Sequence, residues 1–437
     1  MTTTAVLAHG LGGSADLPIP FTYAVVGAAW TLTFTFAVVA LAWRKPRFDP
    51  DIPGRPLPVW VTTVVDAPVT RWLIGAAGLA FTAWVAVAAV TGPQDSRNAL
   101  PGVFYVLLWV GLVALSLFLG PVWRVISPVR TVLRLVRVTR DGVAFPRRFA
   151  RRYPRRLGYW PAAAGLFAFV WLELASPDPG SLTAVKIWLL IYLAVTLAGA
   201  LLSGPRWCSH ADPFEVYSMI ASRCAPWRRN TDGRIAIANP FNRLLSLPVR
   251  PGTVTVLAVL LGSTAFDSFS AMPVWRNFVD THTSGPWDAS AVKTAGLLLF
   301  VVTVAVTFSL AAAATGGVDR EGRRALPGLM AHSLIPIVIG YVFAHYLTYL
   351  VEKGQQTVHA LMGSHDAEVY YLLSMHPSVL ASLKVGFVLL GHVAGVIAAH
   401  DRALRVLPKG HQMTGQLAMM LVMVGYTFTG LYLLFGG

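Results

Sequence analysis

Charge is what this chain has least of. Only 13% of its 437 residues are Asp, Glu, Lys or Arg, against roughly 25% in a soluble domain. That shortage excludes a cytosolic globular enzyme and a disordered chain, both of which depend on charged surface. Cysteine is nearly missing too, and Cys208 and Cys224 are too few for a disulfide framework. Acidic residues number 20 against 35 basic ones, leaving a net charge of +15. Such an excess ordinarily points to an anionic partner, nucleic acid or the headgroups of a bilayer. No aromatic interleaving or binding fold accompanies the arginines, so nucleic acid is excluded. There is also no P-loop, no Gly-x-Gly-x-x-Gly before a helix, no His-Glu-x-x-His and no convincing repeat. Gly10-Leu-Gly-Gly makes a tight turn but lacks the following helix start that a phosphate site requires.

What is present is hydrophobic, 55% of the chain. Ten apolar stretches reach the roughly 20 residues a spanning helix needs: 21–43, 72–91, 102–122, 158–176, 182–204, 252–272, 291–315, 327–350, 381–401 and 412–435. They are continuous rather than alternating, which argues for helices and against strands. The fold expected is an all-α polytopic bundle of about ten transmembrane helices, forming one integral membrane domain over residues 1–437.

The basic residues orient it. Segments 44–71, 124–156, 205–250, 316–326 and 402–410 hold 29 of the 35, while the opposite connections hold Arg97, Lys186, Arg276, Lys293, Lys353 and Lys384. Cytoplasmic loops retain Lys and Arg, so both termini are expected outside, in the inner membrane of a bacterial cell. Residues 1–20 and 353–380 then lie outside, and 123–157 and 205–250 in the cytoplasm. Val6-Leu7-Ala8 before His9 resembles a small-residue cleavage site, but no charged or apolar leader precedes it. The first span therefore reads as an uncleaved anchor; cleavage would instead leave His9 as a free amino-terminal metal ligand.

Residues 122–140 read as an amphipathic helix on the cytoplasmic face. Arg130, Arg134 and Arg137 lie on one side and Ile126, Val129, Leu133 and Val136 on the other, ahead of the basic run Arg147 to Arg156. The partner expected for these arginines is anionic lipid. In the 205–250 loop, Cys208, His210 and Cys224 are too few and too widely spaced for structural zinc, so reduced thiols are expected.

An ionisable group inside the apolar spans costs roughly 2.5–3.5 kcal/mol and needs a reason. Glu173 closes the fourth span, Asp267 lies late in the sixth, His332 and His345 in the eighth, and His392 and His400 in the ninth. At ~1.5 Å per residue, Glu173, Asp267 and His345 fall within about 10 Å of the outer surface and His392 near mid-membrane. His332 and His400 fall near the cytoplasmic headgroups, where an interfacial role suffices. Two carboxylates and two imidazoles suit Zn, Fe or Mn as metal ligands, with Asp267 and Glu173 also available as general base. Interhelical hydrogen bonding and a proton or metal pathway through His332 and His400 are the alternatives. A copper hint comes from His359, Met362, His365, Asp366, Met375 and His376 outside, with Met413, Met419, Met420 and Met423 in the tenth span.

Several stretches carry a family resemblance: His9-Gly-Leu-Gly-Gly with Asp16-Leu-Pro-Ile-Pro, Val122-Trp-Arg-Val-Ile-Ser-Pro, Leu172-Glu-Leu-Ala-Ser-Pro-Asp-Pro and Gly262-Ser-Thr-Ala-Phe-Asp-Ser-Phe. Ala331-His-Ser-Leu-Ile-Pro-Ile, Ala344-His-Tyr, Gly391-His-Val-Ala-Gly and Ala399-His-Asp-Arg-Ala-Leu extend it to nearly the whole chain. Together they resemble actinobacterial polytopic membrane proteins labelled fenitrothion hydrolase. The resemblance implies hydrolysis of an organophosphorus ester, an apolar small-molecule substrate, at the membrane, and its motifs contain Glu173, Asp267, His345 and His392. A metal-assisted phosphotriester hydrolase is thus one expectation. The other is a non-enzymatic transporter or metal-handling assembly protein. The chain departs from the family in lacking most of the leader before His9 and in a shorter, histidine-rich 353–380 loop.

Overall fold

The computed structural model describes residues 17–139, 153–314, 317–364 and 367–435. The cleavage-like site at Ala8, His9, Arg147, His365 and Asp366 fall outside the described residues. All ten apolar stretches form helices. Nine of these are long and apolar enough to cross a membrane among the described residues: α1 (Phe21–Ala42), α2 (Pro68–Thr91), α3 (Ala99–Leu119), α5 (Leu182–Ser203), α6 (Thr253–Ser270), α7 (Pro286–Ala313), α8 (Arg320–Leu361), α9 (Pro377–Val406) and α10 (Thr414–Phe435). The protein is therefore an all-α, multi-pass membrane bundle. Its large apolar side chains face outward as freely as inward, with Trp30, Phe34, Val90, Phe118, Leu190, Leu310 and Leu421 all more than 60% exposed. Water would not tolerate that area of apolar surface on one chain, and lipid does.

The fourth stretch departs from expectation. Its helix, α4 (Trp160–Leu174), has 15 residues, or about 22 Å at the α-helical rise, short of the ~30 Å hydrocarbon core. Length is unnecessary because it is an interior helix: Ala162, Ala163, Leu166, Phe169 and Val170 are buried, and it packs against α6. Its start is fixed by the Tyr159 N–H donating to the Pro251 carbonyl at 2.7 Å. Gly158 and Gly252 flank that contact at φ 46° and 85°, where a side chain would be strained.

Helices α8 and α9 are antiparallel and in backbone contact. A Cβ on Gly340 would lie 2.4 Å from the Phe387 carbonyl oxygen, and one on Gly391 2.6 Å from that of Pro336. In lipid, where burying apolar surface drives little, such small-residue contact is what holds helices together.

The basic segments meet on one face, as the charge pattern requires. Strand β1 (Arg55–Pro56), from the first basic segment, pairs antiparallel with β3 (Ile235–Ile237) of the 205–250 loop, which also pairs with β2 (Trp227–Arg229). Asp401, fully buried, accepts from the Arg47 and Phe48 amides at 2.6 and 3.2 Å, tying the end of α9 to the same segment.

One reading of the amphipathic helix Pro128–Thr139 is corrected. Arg130 does not lie among lipid headgroups: it is 9% exposed and makes a bidentate ion pair with Glu215, both bonds 2.6 Å. Its Nη2 also donates to Ser209 at 2.9 Å. The guanidinium thus docks the helix onto the 205–250 loop, with Val129 and Leu133 packed against Ala200 and Cys208. Arg134 keeps the surface position expected of it, donating at 3.5 Å to the Arg71 carbonyl from an exposed site. Cys208 and Cys224 are free thiols, as expected, and burial pushes both up to about 12.

Candidate functional site

Asp267 and His345, two of the four groups expected to serve as metal ligands, are in contact. They come from neighbouring helices, α6 and α8, and lie on the side of the bundle away from the basic face. The Asp267 Oδ2 accepts from His345 Nε2 at 2.9 Å and from the Tyr346 hydroxyl at 2.7 Å. With Asp267 ionised and His345 neutral, the carboxylate only accepts, which puts the imidazole proton on Nε2 and leaves Nδ1 as an acceptor. Ser268 Oγ stands 3.1 Å from that Nδ1. The Tyr341 hydroxyl is 3.4 Å from Ser268 Oγ and donates to the Gly430 carbonyl of α10 at 3.4 Å. Asp267, Ser268, Tyr341, His345 and Tyr346 are all buried.

Local sequence explains why they converge. Asp267 and Ser268 are consecutive on α6, a helix buried on nearly every side, so both turn into protein rather than lipid. Tyr341 and His345 are four residues apart on α8 and share one face, with Tyr346 beside them. Ser268 also reaches the Thr264 carbonyl at 3.3 Å, the back-bond that lets a hydroxyl sit cheaply inside a helix.

Glu173 approaches from the end of α4. It is half-buried, and its charge acts on the hydroxyls of Tyr105, Tyr346 and Tyr349. Tyr346 therefore lies under the influence of both Glu173 and Asp267. Tyr105 and Tyr349 each belong to a π-helical stretch, Val103–Gly111 in α3 and Tyr349–Lys353 in α8, and these two wide turns touch. Wide turns of this kind recur at functional sites. Here both tyrosines line a pocket of about 690 Å³ that opens beside Arg97, Lys353, His359 and Tyr371. The pocket thus opens on the face away from the basic segments.

Lys384 was expected only as a marker of orientation, and it is fully buried in α9. Because Gly340 meets Phe387 and Gly391 meets Pro336, the antiparallel register sets Lys384 level with Ala344 and His345. Ser268, Tyr341, Tyr346 and Lys384 are the members that the sequence reading passed over. Ser268 stood inside the quoted Gly262–Phe269 motif, and Lys384 inside an apolar span, where its cost was signal enough.

The other histidines are placed elsewhere. His392 is eight residues beyond Lys384 on α9, about 12 Å deeper by the helical rise. Its Nδ1 contacts the Val388 carbonyl at 2.8 Å, and its buried Nε2 meets no partner among the described residues. His332 and His400, expected near the cytoplasmic headgroups, are buried within the protein. His332 reaches the Leu329 and Ala398 carbonyls at 3.1 and 3.3 Å, within the α8–α9 seam. His400 turns to the opposite flank of α9, toward Gln416 at 2.8 Å and the Trp43 carbonyl at 2.9 Å. These two histidines therefore do not form a path in register with the Asp267–His345 pair.

The donor set does not fit the metal centre expected. Both His345 nitrogens are engaged, His392 lies deeper, and no three His, Cys, Asp or Glu side chains gather as an ion site among the described residues. In the 353–380 loop, Met362, Met375 and His376 are exposed, while His359 has a buried Nδ1 with no partner among the described residues. No family model, curated protein or solved structure matches the chain.

Proposed function

We propose that this multi-pass protein sits in a bacterial cell membrane and hydrolyses an ester in the outer half of that membrane. The substrate class we assign is an apolar organophosphorus ester that enters by way of lipid or the outer pocket. One observation carries the reading: His345 is held at both ring nitrogens, by the Asp267 carboxylate on one side and the Ser268 hydroxyl on the other. That order of nucleophile, base and orienting carboxylate is the arrangement that activates a serine on unrelated folds. Asp267 would fix the tautomer, with Tyr346 bracing its carboxylate, rather than serve as the base itself. In the reaction, Ser268 Oγ bonds to phosphorus as its proton passes to His345 Nδ1. The leaving aryl oxide departs with a proton from the imidazolium, and water releases the phosphoryl group from the serine.

Glu173, whose charge acts on Tyr105 and Tyr349 of the pocket and on Tyr346 of the relay, is the carboxylate we assign to passing protons outward. No metal enters this scheme, because no ligand set of His, Cys, Asp or Glu assembles among the described residues.

The test is hydrolysis of a p-nitrophenyl phosphotriester by protein purified into lipid nanodiscs. Ser268→Ala and His345→Gln should each lower kcat about 10²–10⁴-fold. Unchanged turnover in both variants would overturn the reading. A transporter reading is favoured by buried Lys384 and by the unpartnered His392 nitrogen below it. It requires ester hydrolysis to be absent and proteoliposomes to show proton or metal-ion movement that Lys384→Met abolishes.

A further inference from the structure

Four of the chain's ten methionines surround one small cavity. Met330 of α8 and Met419, Met420 and Met423 of α10 line it, together with His400 and Gln416. The rest of the lining is alanine, glycine, leucine, valine and phenylalanine, with no carboxylate or thiol. The space is about 20 Å³, room for a single water-sized sphere. Methionine commonly fills irregular gaps in a core, yet these four line a gap that they leave unfilled.

The chemistry of that ring is narrow. Thioethers are neutral, soft donors that favour Cu(I) over hard divalent ions. His400 is not an available donor, since its ring nitrogens face Gln416 and the Trp43 carbonyl. A mostly apolar site of neutral ligands favours the lowest ionic charge, because the desolvation cost rises steeply with charge. Access is from the basic face, where α10 begins at Thr414 and Met413 is exposed just outside it.

We propose that Met330, Met419, Met420 and Met423 form a thioether site for a monovalent soft cation, Cu(I), entered from the basic face. The site is independent of the Asp267–His345 relay, which lies toward the other side of the bundle.

The experiment is an anaerobic titration of the purified full chain with Cu(I) against a bicinchoninate competitor, paired with copper X-ray absorption. The expected result is about one equivalent bound in a sulfur-dominated shell. Met419→Leu/Met423→Leu nearly conserves volume and should weaken binding at least about tenfold with thermal stability retained. Met362→Leu/Met375→Leu, on the opposite face, should bind as the parent does. Absence of a Cu–S shell in the parent protein would overturn the site, however the variants fold. So would full affinity in Met419→Leu/Met423→Leu, or loss confined to Met362→Leu/Met375→Leu.

Discussion

His345 is the residue on which the functional reading turns, and its placement follows from the cost of polarity in lipid. A charged or titratable side chain in a span must find a partner, and His345 and Asp267 satisfy one another. Their importance was legible in the sequence for that reason. Ser268 was not, because a hydroxyl satisfied by its own helix carries little penalty and so no sequence signal, and Tyr341 and Tyr346 were not, because their partners lie on other helices. His392 was grouped with them by depth alone, and depth says nothing about which face of a helix a side chain occupies. Arg130 was misread for a related reason: amphipathic spacing separates faces but does not reveal that a buried Glu215 waits on the polar one. Removing one partner of such a pair strands a buried charge, at a cost of about 3–5 kcal/mol. Arg130→Ala should therefore lower the melting temperature clearly, and Arg130→Met/Glu215→Met should recover most of the loss in a calorimetric scan. The two thiols offer a simpler check. Burial raises Cys208 and Cys224 to about 12, so neither should react with a maleimide near neutral pH until the protein is unfolded.

At the level of elements, the helix count was readable and the helix lengths were not. Continuous apolar runs announce spans, but the 158–176 run looked like any other and yielded the 15-residue α4. Proline after Trp160 and the Ser-Pro-Asp-Pro sequence after Ala175 bound it at either end. Its interior position spares it the need to match the bilayer. The α8–α9 contact was equally invisible in a sequence of 38 glycines, because only the register shows which of them face a neighbouring backbone. Gly391→Leu would drive a side chain into the Pro336 carbonyl. Overpacking of this kind costs about 1–3 kcal/mol, and the displacement of α8 would carry His345 away from Asp267. We expect reduced thermal stability together with lost ester hydrolysis, measured on the same preparation. Leu390→Ala, one residue away but 69% exposed, should leave both nearly unchanged.

For the molecule as a whole, the basic residues that open the account as a possible anionic-ligand signature gather on one face. The β1–β3 pairing and the Asp401 contacts join segments from opposite ends of the chain there. The ionisable groups with unusual burial lie on both sides of the mid-plane, with Asp267, His345 and Glu352 on the side away from the basic face. Topology is testable without any assay of function. In cells treated with a membrane-impermeant maleimide, Tyr370→Cys should be labelled and Arg229→Cys should not, since the two exposed sites lie on opposite faces. The reverse pattern would invert the orientation and move the relay to the cytoplasmic half.

The central claim is that Ser268 is a nucleophile activated by His345 and Asp267. It is met most directly by incubating the nanodisc-embedded protein with a small apolar fluorophosphonate and locating any adduct by peptide mass spectrometry. The account predicts one phosphonyl group on Ser268, formed at least about 10²-fold more slowly in His345→Gln. An unmodified Ser268, or an equal rate in that variant, would contradict it.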